Sequence, residues 1–183
     1  MSENFLRGIK LIHCPSPDRL TLVLGGARSG KSRHAERLAT ALPAPWTYVA
    51  TAQPLDDEMR ARIAAHRARR ETGWITVEAP INLAEAIGGV ASGPVLVDCL
   101  TLWVSNLLLN DIDVAEAAAG LDAALDARLA PTILVANEVG LGIVPDNALA
   151  RAFRDAAGLL NQRLAARADR VVFLVAGLPM RVK

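Results

Sequence analysis

Strand-like runs alternating with helical segments predict an α/β fold, a mostly parallel sheet with helices on both faces. Three observations carry this. Six short runs rich in β-branched and other apolar residues recur along the chain. Longer, Ala/Leu/Arg-rich patterns lie between them. Pro43, Gly73, Pro94 and Pro131 mark breaks between them. Strands this apolar call for cover on both faces.

Taken in order, residues 1–19 read as an irregular arm, because Pro15 and Pro17 interrupt any regular element. "LTLVLG" (20–25) is the first strand and 31–42 the first helical pattern, which Pro43 follows. "WTYVAT" (46–51) precedes a charged helix at 56–70, where Asp56 and Asp57 suit the exposed N–H groups of a helix start. "WITVEA" (74–79) follows Gly73 and leads to a helix at 82–90. "VLVDC" (95–99) follows Pro94 and runs into helices at 100–110 and 114–129. "TILVAN" (132–137) follows Pro131, a long helix covers 146–168, and "RVVFLVA" (170–176) is the last strand. Residues 20–183 thus form a single domain, without internal repeats.

Charge and composition narrow the function. Formal net charge is +1, so no global field is available to hold a nucleic acid, although the arginine-rich stretch 60–70 can attract a small anion. Apolar runs such as "VVFLVAGL" fall far short of the ~20 residues of a bilayer crossing, so the protein reads as soluble. Cys14 and Cys99 form neither a disulfide framework nor a metal-ligand spacing, and the first residues lack a secretion signal, which suggests the cytoplasm.

In a parallel sheet, ligands bind outside the carboxyl ends of the strands. There the sequence carries "GGARSGKS" (25–32), a match to G-x-x-x-x-G-K-[ST] in the strand–loop–helix context that motif needs. Gly25 and Gly30 permit close backbone approach to phosphate, with the neighbouring N–H groups and the next helix start facing the anion. Lys31 supplies a point charge for the β- and γ-phosphates, and the Ser32 hydroxyl can ligate Mg²⁺. Asp98 ends its strand at the same edge, a second Mg²⁺ contact unless it caps the helix that follows. The chain therefore reads as a P-loop NTPase. No "NK" pair occurs, so the guanine signature of switch GTPases is missing.

His66 sits in "LDDEMRARIAAHRARR" (55–70), amid Arg60, Arg62, Arg67, Arg69 and Arg70. Spacings of three and four place Met59, Ile63 and His66 on one face, and Arg62, His66 and Arg70 align as well. Nearby cations disfavour protonation of an imidazole and keep its lone pair available, while arginines can hold a phosphoryl group that it attacks. Taken alone, the pattern also suits a half-buried structural histidine.

"GGARSGKSRHAE", "VATA", "LDDEMRARIAAHRARR", "VEAP", "VLVDCLTLWVSNLL", "NEVGLGIVP" and "ARAFRDAAGLLNQRLA" follow one another in an order that resembles the bifunctional adenosylcobinamide kinase/adenosylcobinamide-phosphate guanylyltransferases of cobalamin biosynthesis. The likeness runs from about Leu20 to the C-terminus and leaves residues 1–19 outside it. It implies a RecA-like P-loop sheet and two reactions at one nucleotide site. A nucleoside triphosphate, ATP or GTP, phosphorylates adenosylcobinamide. GTP is then attacked at its α-phosphorus by a histidine, here His66, and the GMP passes to adenosylcobinamide phosphate to give adenosylcobinamide-GDP.

The resemblance further implies nucleotide contacts from Gly25, Gly26, Ala27, Arg28, Ser29, Gly30, Lys31 and Ser32, from Ala50, Thr51 and Ala52, and from Arg67, Ala68, Arg69 and Arg70. Glu78 would reach the ribose, Asp98 would lie beside the P-loop, and the metal would take Ser32 and Asp98. It also implies a homo-oligomer, often a trimer. Asn137, Glu138, Gly140 and Gly142 lie past a strand end, where an acceptor could meet the phosphates or the chain could simply turn. Two other functions stay open on the residues alone: a P-loop small-molecule kinase in which His66 only stabilises charge, and a nucleotide-binding regulatory module that docks through the arginine helix.

Overall fold

The structure, a computed structural model, describes residues 18–54, 56–68, 70 and 72–183. The arm expected over 1–19 lies outside the described residues except for Asp18 and Arg19, and Arg69 lies outside them too. Seven strands form one sheet: β1 (Leu20–Gly25), β2 (Trp46–Ala50), β3 (Trp74–Glu78), β4 (Val95–Asp98), β5 (Thr132–Asn137), β6 (Arg170–Val175) and β7 (Leu178–Arg181), in the order β3-β2-β4-β5-β1-β6-β7. All pairs are parallel except β6–β7. The helices are α1 (Lys31–Thr40), α2 (Asp57–Ala68), α3 (Leu83–Gly88), α4 (Leu100–Leu109), α5 (Val114–Ala127) and α6 (Ala148–Arg167).

Alternation along the strands divides the core between the two faces. Leu22, Val95, Val97, Leu134 and Ala136 pack with α3–α6 through Leu83, Trp103, Leu121 and Leu164. Val23, Leu96, Ile133 and Val135 point the other way, against Ala35 and Ala39 of α1. Both faces are therefore dry, as continuous apolar strands require.

Helix α2 is different. None of its described residues is buried. Asp56 Oδ1 accepts from Met59 N–H at 2.7 Å, so a carboxylate caps its first turn. The helix is held at its other end, where Arg70 stacks over the Tyr48 ring at 3.9 Å and Nη1 donates to Thr76 Oγ1 at 3.1 Å. No helix among the described residues is long and apolar enough to cross a membrane.

The antiparallel β7 is absent from the sequence expectation. Its hairpin turns on Ala176 (φ 50°) and Gly177 (φ 83°), both left-handed, which is the backbone of a tight two-residue connection. Gly177 N–H donates to Ser29 O at 3.0 Å, so this turn braces the glycine-rich loop after β1.

Candidate active site

The loop between β1 and α1 is shaped by backbone demands. A Cβ on Gly25 would come within 2.9 Å of Leu174 O, and Gly30 holds φ 93° at the N-cap of α1, where no side chain caps the helix. The first turn of α1 carries no acidic residue, so its N–H groups and the positive helix end face the loop. Ser29 Oγ is buried without a hydrogen-bond partner, tucked where a Cβ on Gly25 would collide with it. Lys31 is buried, and its Nζ donates to Gly26 O at 3.1 Å, across the mouth of the loop.

A cavity of about 680 Å³ opens beside this loop. Ala27, Lys31 and Ser32 form one wall, and Ala50, Ala52, Glu78, Asp98 and Asn137 line it at the strand ends. Met59, Arg60, Ile63, His66 and Arg67 of α2 line it too, as does Arg70 just beyond that helix. The three-and-four spacing of Met59, Ile63 and His66 thus turns one face of α2 toward the cavity rather than into a core. Tyr48 and Leu102 add apolar surface that the sequence reading did not single out.

Asp98 does not cap α4. The N-cap position is Cys99, with no side-chain cap, and Asp98 Oδ2 instead accepts from Tyr48 Oη at 3.0 Å. Burial first, then the Asp98 carboxylate, pushes the Tyr48 phenol far above its ordinary range, which keeps it a donor. Ser32 and Asp98 line the same cavity, a hydroxyl and a carboxylate of the kind that complement phosphate and water around Mg²⁺. Among the described residues no group of three or more His, Cys, Asp or Glu could hold a metal unaided. The donor set therefore fits an ion that arrives with its nucleotide.

Thr51 is placed differently from the expectation. It is fully buried; its hydroxyl donates to Cys99 O at 2.7 Å and accepts from Cys99 N–H at 2.8 Å. Its carbonyl takes a 2.8 Å hydrogen bond from Asn106 Nδ2. Those bonds lock the ends of β2 and β4 together and turn the side chain away from the cavity, so only Ala50 and Ala52 of the trio line it. Ala68 is exposed and does not line the cavity either. Gly25, Gly26, Arg28, Ser29 and Gly30 shape the loop through their backbone, with Arg28 itself in the left-handed region at φ 57°.

Arg67 and Glu78, expected to meet phosphate and ribose, are ion-paired with each other. Both side chains are more than half exposed, at 52% and 69%, so solvent leaves this pair worth no more than about 1 kcal/mol. A nucleotide offering a phosphate to one and hydroxyls to the other can replace it. Arg60 pairs likewise with Asp57, at 2.6 Å.

Cys99 lines the cavity yet is chemically quiet. Burial, then the Asp98 carboxylate, pushes its thiol up to about 11 from 9.0. Alkylation of Cys99 in the native protein at pH 8 is expected to be about 100-fold slower than in the urea-unfolded chain, from thiolate fraction alone, as followed by peptide mapping. Because the folded value lies above the unfolded one, the thiol supports folding below about pH 9. That support is lost as pH rises through about 11.

Comparison with known proteins identifies relatives of the chain. The family described as cobinamide kinase / cobinamide phosphate guanyltransferase matches residues 21–182. The chain is 51% identical over 169 residues to the bifunctional adenosylcobalamin biosynthesis protein CobP of Pseudomonas aeruginosa, covering 88% of this chain and 96% of that protein. It is 44% identical to the bifunctional adenosylcobalamin biosynthesis protein CobU of Salmonella typhimurium, covering 90% and 99%. Among solved structures, the flagellar accessory protein FlaH of Methanocaldococcus jannaschii superposes with a TM-score of 0.51 at 12% identity, covering 90% of this chain and 78% of that one, a likeness of fold alone. With a matched region running from β1 to the strand that closes the sheet, the chain belongs to the cobinamide kinase / cobinamide phosphate guanyltransferase family.

Proposed function

We propose that the chain is a bifunctional enzyme that performs both reactions in one cavity. It first phosphorylates adenosylcobinamide, then carries GMP on His66 to adenosylcobinamide phosphate. The observation that carries this reading is the cavity itself, whose lining brings Lys31 and Ser32 together with His66.

In the first reaction the substrate hydroxyl oxygen forms a bond to the γ-phosphorus, the β,γ-bridging oxygen leaves with the nucleoside diphosphate, and the hydroxyl proton goes to solvent. Lys31, the loop N–H groups and the α1 N-terminus hold the phosphates and oppose the charge that develops on the leaving oxygens. When bound, Mg²⁺ would neutralise phosphate charge, and Ser32 and Asp98 are the residues that would hold it.

In the second reaction the unprotonated nitrogen of His66 attacks the α-phosphorus of GTP. A P–N bond forms and pyrophosphate departs with the bridging electron pair. A phosphate oxygen of adenosylcobinamide phosphate then attacks the same phosphorus, the P–N bond breaks, and the imidazole is regenerated. Arg60, Arg67 and Arg70 line the cavity beside His66 and supply cations for the charge on the transferred group. Exchange of the Arg67–Glu78 pair would free Glu78 for the ribose hydroxyls. The enzyme works in the cytoplasm, where both triphosphates are supplied, and assembles as a homo-oligomer. Exposed apolar side chains at Leu141 and Ile143, and at Leu178 and Met180 along β7, support burial against another copy.

Labelled GTP tests the scheme. Label in the α-phosphate should remain with the denatured protein, be released by acid, and map to His66; label in the γ-phosphate should not remain. A γ-transfer to the corrinoid without any protein-bound α-label would reduce the chain to a simple kinase. Absence of turnover with any acceptor would leave a binding module.

A further inference from the structure

Tyr48 stands in the middle of β2, an interior strand, with Thr76 of β3 in register on one side and Leu96 of β4 on the other. The residue is buried, and both ends of its side chain are held. Its Oη donates to Asp98 Oδ2 at 3.0 Å, and its ring packs edge-to-face with Trp74, the centroids 6.0 Å apart.

The guanidinium of Arg70 lies over this ring, 3.9 Å from its centroid, and Nη1 donates to Thr76 Oγ1 at 3.1 Å. Arg70 is thus seated on two residues that are neighbours across the sheet. It is also tied back to α2. Its N–H donates to Arg67 O at 3.2 Å, and its Nε donates to the carbonyl of His66 at 3.4 Å. A chain of contacts therefore runs from a buried ring, through one guanidinium, to the backbone of the histidine.

That chain matters because α2 is not held by a core. None of its described residues is buried, and none belongs to either core cluster. The Arg67–Glu78 pair is exposed and screened, and the Arg60–Asp57 pair joins two residues of the helix itself. A guanidinium stacked on a buried ring is shielded from water on that face, where a cation–π contact is strongest.

Resting on the two-reaction reading above, we infer that Tyr48 is a positioning residue for the guanylyl step, whose ring seats Arg70 and through it sets where His66 stands in the cavity lining. An imidazole attacks phosphorus productively only from about 3–3.5 Å and in line, and a misplacement of about 1 Å can cost about 10²-fold. The kinase step asks nothing of the histidine. The Tyr48 hydroxyl has a separate duty: it bonds Asp98, beside the phosphate loop that both reactions use, so its loss falls on both alike.

In the full-length protein, the single-turnover rate of α-label attachment divided by the initial rate of γ-transfer to adenosylcobinamide reads this placement. Tyr48→Phe keeps the ring and should leave that ratio within about twofold of the parent. Tyr48→Leu removes the seat and should lower the ratio about tenfold. In an Arg70→Ala background, where the seat is already empty, Tyr48→Leu should lower it by less than about twofold more, because two groups acting through one contact do not add. A thermal melt checks folding. Should Tyr48→Leu not fold, Arg70→Lys probes the seat from the other side: an ammonium cannot lie flat on the ring and reach both Thr76 and the His66 carbonyl, so the ratio should again fall about tenfold.

An unchanged ratio in Tyr48→Leu, or in Arg70→Lys where that variant stands in, overturns the inference. So does an equal fall in Tyr48→Phe, which would move the effect to the hydroxyl. A full tenfold fall on top of Arg70→Ala overturns it too, since the ring would then act by packing alone. A parent protein that takes up no α-label would instead count against the two-reaction reading, so the two failures are told apart by the parent assay.

Discussion

Lys31→Ala is expected to abolish phosphorylation of adenosylcobinamide and formation of the guanylyl adduct together, each by at least about 10³-fold. The reason is shared geometry. Both reactions expel a phosphate-bearing leaving group, a nucleoside diphosphate in one and pyrophosphate in the other, from a triphosphate seated on the same loop. Lys31 is the cation built into that loop, buried and directed across it to Gly26 O at 3.1 Å. A charge in so enclosed a place acts far more strongly than one in water. Alanine is the better helix former at the start of α1, so the fold should survive, and a thermal melt would verify that. Lys31→Arg should not rescue either reaction, since the planar guanidinium fork does not fit where a slim ammonium reaches between backbone groups. Initial rates for the kinase and single-turnover α-label for the guanylyl step are the measurements. If one step kept a near-normal rate, the two reactions would not share a phosphate site.

The parallel part of the sheet was legible in the sequence, and so were the six helices, because strands dry on both faces must be apolar throughout and the breaks between elements fall on proline or glycine. β7 was not. "LPMR" is short and contains Pro179, which argues against a strand interior, but at a sheet edge a missing N–H costs nothing. Its turn, Ala176-Gly177, also lacks the Asn-Gly or Asp-Gly pair that announces such hairpins. At the site, the phosphate loop and Asp98 could be placed by motif and strand end. Tyr48 could not, since its claim to notice is a hydroxyl bonded to Asp98, 50 positions away. Thr51 shows the opposite limit. The family resemblance implies a nucleotide contact at Thr51, yet a partner in sequence-distant Cys99 draws its side chain inward. The Arg67–Glu78 pair is a third case, two groups each legible as a nucleotide contact that also fit one another.

His66→Ala should lose guanylyl transfer to below detection while phosphorylation of adenosylcobinamide stays within about fivefold of the parent. The asymmetry follows from what each step asks of α2. The kinase step needs the loop and Asp98, which lie at the strand ends; the guanylyl step needs a nucleophile on α2. Replacement on a helix none of whose described residues is buried opens no core cavity, and alanine favours the helix, so stability should change by no more than about 0.5 kcal/mol. His34→Ala is the informative control. Burial, then Arg37 and Arg170, holds the His34 imidazole below its ordinary range, so it offers an unprotonated nitrogen at neutral pH. A lone pair alone therefore does not make a histidine the acceptor of the guanylyl group. Position distinguishes the two: His66 lines the cavity with Lys31 and Ser32, and His34, in the first turn of α1, does not. His34→Ala should keep its α-label adduct. An adduct that persisted in His66→Ala and vanished in His34→Ala would mean the nucleotide lies the other way round in its loop, with its α-phosphate turned away from α2.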